Sequence, residues 1–487
     1  MKLKELIKEL KVKTVSCQPS AVDFDTEIKG ITYDSRDVKP GWLFVAIKGD
    51  KYDGHSFLEE AERKGAITAV VESNRLPITD YRLPIIVVED TRESLAHLAQ
   101  KFYGNPSKDL KIIGVTGTYG KTTSTWLLKS IYESAGLRTG LIGTIEYEIG
   151  DRHIPAHNTT PESLDLQRIF YELKEDGANG CVMEVSSHGI AMKRVCGIDF
   201  DIAAFTGLGR DHLDFHHTLK EYADTKLKLF SGLKSEGLAV LNHDDPTFSR
   251  FKEHIKARVV SYGTSSECDT CGELHSLSKE GIEILVRWDG KEEKISSKLV
   301  GGYNLYNILL ATTCALNNGI KFEAVREGIG KLERVPGRFE RVGRVIVDYA
   351  HTPEALESAL KSARELASGR IICIFGCGGD RDQGKRPLMG KVASELADYV
   401  LLTTDNPRSE NSQEITKDII EGITTGNYEV ILDRKEAIRT AINRSSEEDI
   451  ILLVGKGHEN YQVCGELKIP WDDKKIATEV QKEYSNK

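Results

Sequence analysis

Short apolar runs that end in polar turns recur along the chain, and most are followed by a stretch with helical spacing. Lys111–Thr116 (KIIGVT) reads as a buried parallel strand, Gly117–Thr123 (GTYGKTT) interrupts it with glycines, and Trp126, Leu127, Leu128 and Ile131 then suit an amphipathic helix over Ser124–Tyr132. Gly180–Val185 (GCVMEV) and Ile202–Phe205 are further apolar strands; the first carries Glu184 at its end, and Asp211–His216 (DHLDFH) follows the second. Gly30–Glu72 predicts short strands with turns at Lys39–Gly41 and Lys48–Gly54 and a helix from about Ser56, a small α/β domain. The final third repeats a strand with a polar carboxyl end: Val345–Asp348 into Tyr349–Pro353, Ile371–Gly376 into Gly378–Arg381, Tyr399–Thr404 into Asp405–Arg408, and Ile450–Val454 into Gly455–Glu459. Helical segments separate them, the pattern of an open parallel sheet, whose ligands bind outside the strands' carboxyl ends. Met1–Lys13 sets Leu and Ile among charges at helical spacing, which predicts an amphipathic helix rather than a signal peptide.

Turn-rich joints at Tyr103–Ser107 (YGNPS) and Val335–Gly337 (VPG) divide the chain into 1–105, 106–335 and 336–487. A length of 487 residues suits about three domains, too much chain for one core. A net charge of −9 argues against a general nucleic-acid binder, and the chain has no run of eighteen apolar residues for a membrane span. A cytoplasmic protein is expected. Its nine cysteines are scattered and odd in number, as reduced core thiols would be. Cys268–Cys271 (CDTC) has metal-ligand spacing, with His254 and His275 nearby, but a second pair at matching spacing is missing, so a surface hairpin is expected there.

The Gly-rich turn carries the first chemistry. A triphosphate is gripped by several backbone N–H groups at once, and Gly117 and Gly120 let the backbone come close enough. Lys121 would place its ammonium between the outer phosphates, and Thr122 would offer its hydroxyl to a bridging magnesium. The loop is shorter than the full eight-residue signature. Glu184, at a strand end, could hold magnesium or its water, and His212 could add a nitrogen ligand. In the helix around Leu219–Phe230, Tyr222, Lys226, Leu229 and Phe230 share one stripe, so Lys226 points inward while Lys228 points away. Burial would leave Lys226 a neutral amine, able either to bond a carboxylate or to take up carbon dioxide and become an anionic ligand.

Taken in order, YDSR (Tyr33–Arg36), DGHSF (Asp53–Phe57), GTYGKTT, EVSSH (Glu184–His188), DHLDFH, DNPR (Asp405–Arg408) and GKGHE (Gly455–Glu459) resemble the Mur ligases over the whole chain. Within that family the chain is most similar to the members that add the third amino acid to UDP-N-acetylmuramoyl-L-alanyl-D-glutamate in peptidoglycan precursor synthesis. The resemblance implies an α/β protein of three domains: a small UDP-sugar-binding domain, a central P-loop ATPase with a mainly parallel sheet, and a C-terminal Rossmann-like domain. It implies ATP and Mg2+ as cofactors, with Thr116, Gly117, Thr118, Tyr119, Gly120, Lys121, Thr122, Thr123, Asn304, Arg338, Asp348 and His351 around ATP. Ser35, Asn158, Thr159, Thr160, Ser186 and Arg194 would hold the nucleotide-sugar peptide. Lys226 matches the family's carbamoylated lysine (N6-carboxylysine), which would join Thr122, Glu184 and His212 as a metal ligand; Lys121, Glu184, His212 and Lys226 are the implied catalytic set.

The implied reaction follows from charge. A carboxylate is a poor electrophile, so ATP phosphorylates the D-glutamyl side-chain carboxylate, and an amine then attacks the acyl phosphate. The planar fork of Arg408 suits the distal carboxylate of meso-diaminopimelate, which lysine lacks, and the family's lysine-adding members generally lack this arginine. Arg381, Asp405, Asn406, Pro407, Gly455 and Glu459 match the other positions that hold the diamino acid; ligation of L-lysine is the alternative. Two residues depart from the family pattern, Tyr119 and Gly207, each where Asn is common. A GTPase-type switch would need an Asn-Lys-x-Asp motif, which the chain lacks, and a catalytically dead scaffold would not keep Lys121, Thr122, Glu184, His212 and Lys226 together. Folate and cyanophycin-type ligases share the ATPase core but should not need the Ser35 region or DNPR.

Overall fold

The computed structural model describes residues 1–8, 10–16, 23–49, 52–75 and 82–485. They form two compact units: Met1–Gly114 with Arg138–Ile202 and Lys228–Gly237, and Val115–Leu137 with Ala203–Leu227 and Leu238–Lys487.

In the first unit a five-stranded sheet runs in the order Val12–Ser16, Ile85–Val88, Thr68–Glu72, Trp42–Val45, Gly30–Thr32, parallel except for the first pair. Side chains alternate between faces along a strand, so each strand serves two cores. Leu43, Val45, Val70, Ile86 and Val88 face one cluster with Leu3, Leu6, Leu95 and Leu98. Phe44, Ala46, Ala69, Val71, Ile85 and Val87 face another with Val38, Leu58 and Ala61. The helix Thr91–Phe102 starts at Asp90, whose side chain accepts from Glu93 N and caps it. The predicted N-terminal helix is only Leu3–Leu6, which buries both leucines. Val12–Ser16 instead pairs antiparallel with Ile85–Val88: a four-residue helix is near the limit of what packing can hold, and the β-branched VKTV stretch is better used on an open sheet edge. The same unit holds Gly180–Glu184 parallel to Thr139–Ile142, which leads into an antiparallel meander with Glu146–Ile149 and Arg152–Pro155.

In the second unit the helix Lys121–Ser134 follows the phosphate-type turn and packs against the helix Phe322–Lys331. A Cβ on Gly328 would stand 2.4 Å from the Ile131 Cα, so only glycine permits this backbone-to-backbone approach. Leu238–Asn242 pairs in parallel with Arg258–Gly263, which is followed by Thr270–Ser278 and the antiparallel strands Gly281–Trp288 and Lys291–Ser297. The four repeated strands of the last third are neighbours in one six-stranded sheet, in the order Glu340–Val342, Val345–Asp348, Ile450–Val454, Ile371–Phe375, Tyr399–Leu402, Tyr428–Val430. All but the first run parallel. One face, with Cys373, Phe375, Val400, Leu402 and Leu452, packs with Leu356, Leu360, Met389 and Ala393 of the helices Pro353–Leu366 and Lys385–Leu396. The other, with Ile372, Ile374, Leu401, Ile451 and Leu453, packs with Ile438, Ile442, Ala477 and Val480. That second face is pinned by a wholly buried ion pair, Arg434 to Asp473 at 2.6 Å. Among the described residues no helix is long and apolar enough to cross a membrane.

Candidate active site

The turn after Lys111–Thr116 forms as the glycines require. Gly117 (φ 147°) and Gly120 (φ 82°) hold backbone conformations that L side chains rarely adopt, and Gly120 leads directly into the helix Lys121–Ser134. Thr118 N donates to Gly207 O (2.9 Å) and Gly209 N to Thr118 Oγ1 (2.9 Å), so the turn is tied to the segment after Phe200–Phe205. Lys121 Nζ donates to Gly117 O (2.9 Å) and Thr118 O (3.0 Å), which folds its ammonium back over the turn.

Lys226 reaches the same carbonyl oxygen. Its side chain is 1 % exposed, its Nζ is 2.7 Å from Gly117 O, and the ammonium position lies 4.2 Å from the centre of the Tyr222 ring. Burial, and then the neighbouring Lys121, push the Lys226 pKa well below that of an ordinary lysine. The inward stripe predicted for the helix Leu219–Leu227 is therefore correct, with Tyr222, Lys226, Leu229 and Phe230 buried and Lys228 exposed.

His212 sits at a left-handed position (φ 54°), and its ring is 3.2 Å from Asp211 Oδ2. His351 Nε2 approaches the same oxygen at 3.4 Å, while its Nδ1 pairs with Tyr349 O (2.8 Å). Burial would raise the Asp211 pKa, but its hydrogen bond to His351, with His351, His212 and Lys385 charge nearby, holds it well below the usual carboxylate range. Arg338 Nη2 donates to Thr122 Oγ1 (3.0 Å), and its guanidinium lies over the Tyr349 ring at 4.5 Å. Asp348 accepts from Phe339 N and Ala350 N, both at 2.7 Å, and its pKa is raised by burial. Asn304 begins the helix Asn304–Asn317; it donates to Val300 O (2.8 Å) and accepts from Asn307 (2.9 Å), and a Cβ on Gly120 would meet Asn307 Oδ1 at 2.6 Å.

The two departures from the family pattern are neighbours. A Cβ on Gly207 (φ 152°) would lie 3.2 Å from Asp245 Oδ2 and 3.5 Å from Tyr119 Cε2, and one on Gly209 would meet Tyr119 Cε1 at 2.9 Å. The Tyr119 ring thus lies over two glycines with the residue 44% exposed, and partial burial followed by Asp245 pushes its phenol up to about 12.

The carboxyl ends of the parallel strands in the last third carry a second cluster. Arg408 (φ 51°) donates from Nη1 to Gly379 O (2.6 Å). Its pKa is lowered by burial and then by the charge of Arg381. A Cβ on Gly378 would be 2.9 Å from Arg408 Nη1, and one on Gly455 (φ 108°) 2.4 Å from Asp405 Oδ2; both glycines leave room for the charged groups. Pro407 lies between Asn406, whose carbonyl accepts from Gly379 N (2.9 Å), and Arg408. Lys456 is wholly buried and donates to Asn406 Oδ1 (2.9 Å) and Glu459 Oε2 (3.2 Å), while Asn406 Nδ2 donates to Glu459 Oε2 (2.8 Å).

In the other unit Glu184 is fully buried, and its carboxylate accepts from Thr144 N (2.8 Å) and Thr144 Oγ1 (3.0 Å). Thr159 Oγ1 is 3.1 Å from Thr144 Oγ1, and Thr160 Oγ1 donates to Glu184 O (3.0 Å). Asn158 is fixed by Tyr147, whose hydroxyl donates to Asn158 O (2.5 Å). Ser186 caps the helix Ser187–Ala191, and Arg194 donates to Thr160 O (3.0 Å) and pairs with Glu162 (2.9 Å). Glu184, Asn158, Thr159, Thr160, Ser186 and Arg194 therefore form one connected group. Ser35, also in this unit, donates to Glu60 (2.7 Å).

Sequence reasoning missed Asp211, Asn307, Thr144 and Lys456. Asp211 and Lys456 lie inside the DHLDFH and GKGHE motifs, where neighbouring residues carry the stronger signal; Asn307 and Thr144 lie in segments with no motif of their own. The CDTC expectation is half met: Cys271 enters the hairpin strand Thr270–Ser278, whereas Cys268 is buried.

The chain matches family profiles along its length: the Mur ligase family catalytic domain over residues 27–103, the Mur ligase middle domain over 115–315, and the Mur ligase glutamate ligase domain over 337–457. It is 44% identical over 490 residues to UDP-N-acetylmuramoyl-L-alanyl-D-glutamate--2,6-diaminopimelate ligase 1 of Clostridium acetobutylicum, covering 99% of this chain and 100% of that protein. It is 46% identical over 464 residues to the ligase of the same name from Caldanaerobacter subterraneus, covering 94% and 95%. Among solved structures, a UDP-N-acetylmuramoyl-L-alanyl-D-glutamate--2,6-diaminopimelate ligase superposes with a TM-score of 0.66 at 31% identity, over 100% of this chain and 99% of that one. The Thermotoga maritima MurF ligase in complex with ADP shares the fold, with a TM-score of 0.66 at 20% identity over 95% and 98%.

Proposed function

Since the chain belongs to the Mur ligase family, we propose that it is an ATP-dependent ligase that joins meso-diaminopimelate to the D-glutamyl side-chain carboxylate of UDP-N-acetylmuramoyl-L-alanyl-D-glutamate. The observation that supports this choice of amino acid is Arg408, whose Nη1 lies over Gly378 with Arg381 Cγ near the same glycine, at the strand ends that also carry the Asn406–Lys456–Glu459 cluster. A carboxylate meets an arginine fork in two parallel hydrogen bonds, and Arg381 adds positive charge to the same region. Diaminopimelate has a carboxylate at each end, with Glu459 and Asp405 available to its ammonium groups.

In this reading the turn Thr116–Thr123 cradles the ATP phosphates, and Asn304, Arg338, Asp348 and His351 serve the rest of the nucleotide. Ser35, Asn158, Thr159, Thr160, Ser186 and Arg194 serve the UDP-sugar peptide. The Thr122 hydroxyl and the Glu184 carboxylate are hard oxygen donors of the kind magnesium takes, with His212 as a nitrogen donor. Magnesium, when bound, would supply positive charge against the phosphates. Lys121 supplies positive charge where it gathers as the γ-phosphoryl group passes to the substrate carboxylate and, later, as phosphate leaves. The amine of diaminopimelate attacks the acyl phosphate carbon, the C–N bond forms, and the C–O bond to phosphate breaks. No protein nucleophile is required; positioning lowers the barrier. Burial lowers the Lys226 pKa and so favours its free amine, whose nitrogen would add to carbon dioxide and lose one proton to solvent to give a carbamate. The three domains would run over 1–105, 106–335 and 336–487, a division supported by the separate five-stranded and six-stranded sheets at either end.

The test is phosphate release from ATP with magnesium and UDP-N-acetylmuramoyl-L-alanyl-D-glutamate, comparing meso-diaminopimelate with L-lysine. Turnover with diaminopimelate alone is expected. Preference for lysine would overturn the role given to Arg408 and leave the ligase chemistry; no turnover with either would overturn the whole reading.

A further inference from the structure

His254 and His275 lie near the CDTC pair in sequence, but the histidine that the fold brings to Cys268 is His243. His243 and Asp244 follow the strand Leu233–Asn242, and Cys268 lies in the turn after Arg258–Gly263; the two strands are parallel neighbours, with Asn242 opposite Tyr262. Both segments therefore emerge at the same edge of the sheet. A His243 ring nitrogen, an Asp244 carboxylate oxygen and the Cys268 sulfur all lie within 4.8 Å of one another.

We propose that His243, Asp244 and Cys268 form a binding site for one zinc-class divalent cation, distinct from the magnesium of the phosphate loop. Three features carry this. The donor set is a nitrogen, an oxygen and a soft sulfur, which suits zinc and not a hard cation such as magnesium. The Asp244 carboxylate is already oriented: its Oδ2 accepts from Thr264 N (2.7 Å), Thr264 Oγ1 (2.7 Å) and the Tyr306 hydroxyl (3.0 Å), and its Oδ1 lies 3.8 Å from His243 Nδ1. Such outer hydrogen bonds are what hold a ligating carboxylate in place. Bonds of about 2.0–2.3 Å in a tetrahedron put ligand atoms about 3.3–3.7 Å apart, so donors within 4.8 Å of one another need to close by no more than about 1.5 Å. The His243 ring is packed against Phe248 with centroids 4.6 Å apart, which limits its swing. His243 and Asp244 are partly exposed, so a water can complete four-coordination. The ion would tie the Thr264–Cys268 turn, through Asp244 and Tyr306, to the helix Asn304–Asn317.

The full-length protein, kept reduced with a phosphine and stripped with a chelator, is titrated with Co2+. One equivalent is expected to produce a sulfur-to-cobalt charge-transfer band with the visible bands of tetrahedral cobalt, and one equivalent of Zn2+ should bleach them. Cys268→Ala should abolish the charge-transfer band, His243→Gln should weaken binding by more than about tenfold, and Cys271→Ala should keep the band. Absence of the band from the unaltered protein overturns the site. So does its persistence in Cys268→Ala, or its loss in Cys271→Ala alone. Should Cys268→Ala misfold by circular dichroism, the unaltered protein and His243→Gln decide the matter.

Discussion

Replacing Lys456 by methionine separates the geometry of the amino-acid cluster from its charge. The ammonium is wholly buried and has two partners, Asn406 Oδ1 at 2.9 Å and Glu459 Oε2 at 3.2 Å, and the Glu459 side chain is itself only 15% exposed. Methionine fills a similar volume, so packing is nearly kept while one half of a buried ion pair disappears. Breaking such a pair costs about 3–5 kcal/mol. Glu459 keeps its bond from Asn406 Nδ2 (2.8 Å), so the low end, about 3 kcal/mol, applies. For the proposed domain 336–487, each kcal/mol lowers the melting temperature by about 2–4 °C, giving a fall of about 6–12 °C. Because Asn406 and Glu459 lose their common anchor, the KM for diaminopimelate should rise by about tenfold, equivalent to about 1.4 kcal/mol, while the KM for ATP stays within about twofold. Scanning calorimetry and phosphate release at varied diaminopimelate read the two effects. A folded variant that keeps both its melting temperature and its KM for diaminopimelate would refute the anchoring role; an equal rise in both KM values would show a general loosening instead.

Arg408→Ala is expected to weaken use of diaminopimelate far more than binding of ATP or the nucleotide sugar, measured as three separate KM values; equal losses would count against the specificity argument. Lys226→Ala should be nearly inactive and regain turnover with added short carboxylic acids, which would replace a carbamate; no regain would count against the carbamate. Gly207→Asn places a side chain at φ 152° beside the Tyr119 ring, at a strain of about 1–3 kcal/mol, and should depress kcat/KM for ATP. Adding Tyr119→Asn should recover part of that loss, with a coupling of about 0.5–3 kcal/mol, and strict additivity would refute the contact between the two positions. Asp449 accepts from Arg370 Nη2 (2.9 Å), Arg370 N (2.7 Å) and Ser446 N (2.9 Å); against the opposing effect of burial these hold its pKa at about 2, below the ordinary 3.8. A depressed carboxylate stabilises the fold above its unfolded pKa and loses that contribution as pH falls through the folded value. Asp449→Asn should therefore lower the melting temperature at pH 7, and the gap should close between pH 3.8 and about 2; a gap independent of pH would contradict the linkage.

Much of this protein could be read from local pattern, because the forces behind those parts are local. A strand buried on both faces must be apolar throughout, a backbone that grips phosphate must be glycine-rich, and a lysine on the inner stripe of a helix must be buried. So Lys111–Thr116, Gly117, Gly120, Lys226 and the parallel strands of the last third stand where the sequence puts them. Where the decision was long-range, pattern failed. Val12–Ser16 became an edge strand because Ile85–Val88 offered an open edge. Nothing near Asp211 in the chain announces that His351 shares its carboxylate, nothing near Gly120 that Asn307 crowds it, and nothing near Cys268 that His243 is its neighbour. The chain alone determined the family, the phosphate turn and the buried lysine. Only the tertiary structure decided which groups share a carboxylate or a carbonyl oxygen, since those pairings depend on distances between segments far apart in sequence that no local periodicity encodes.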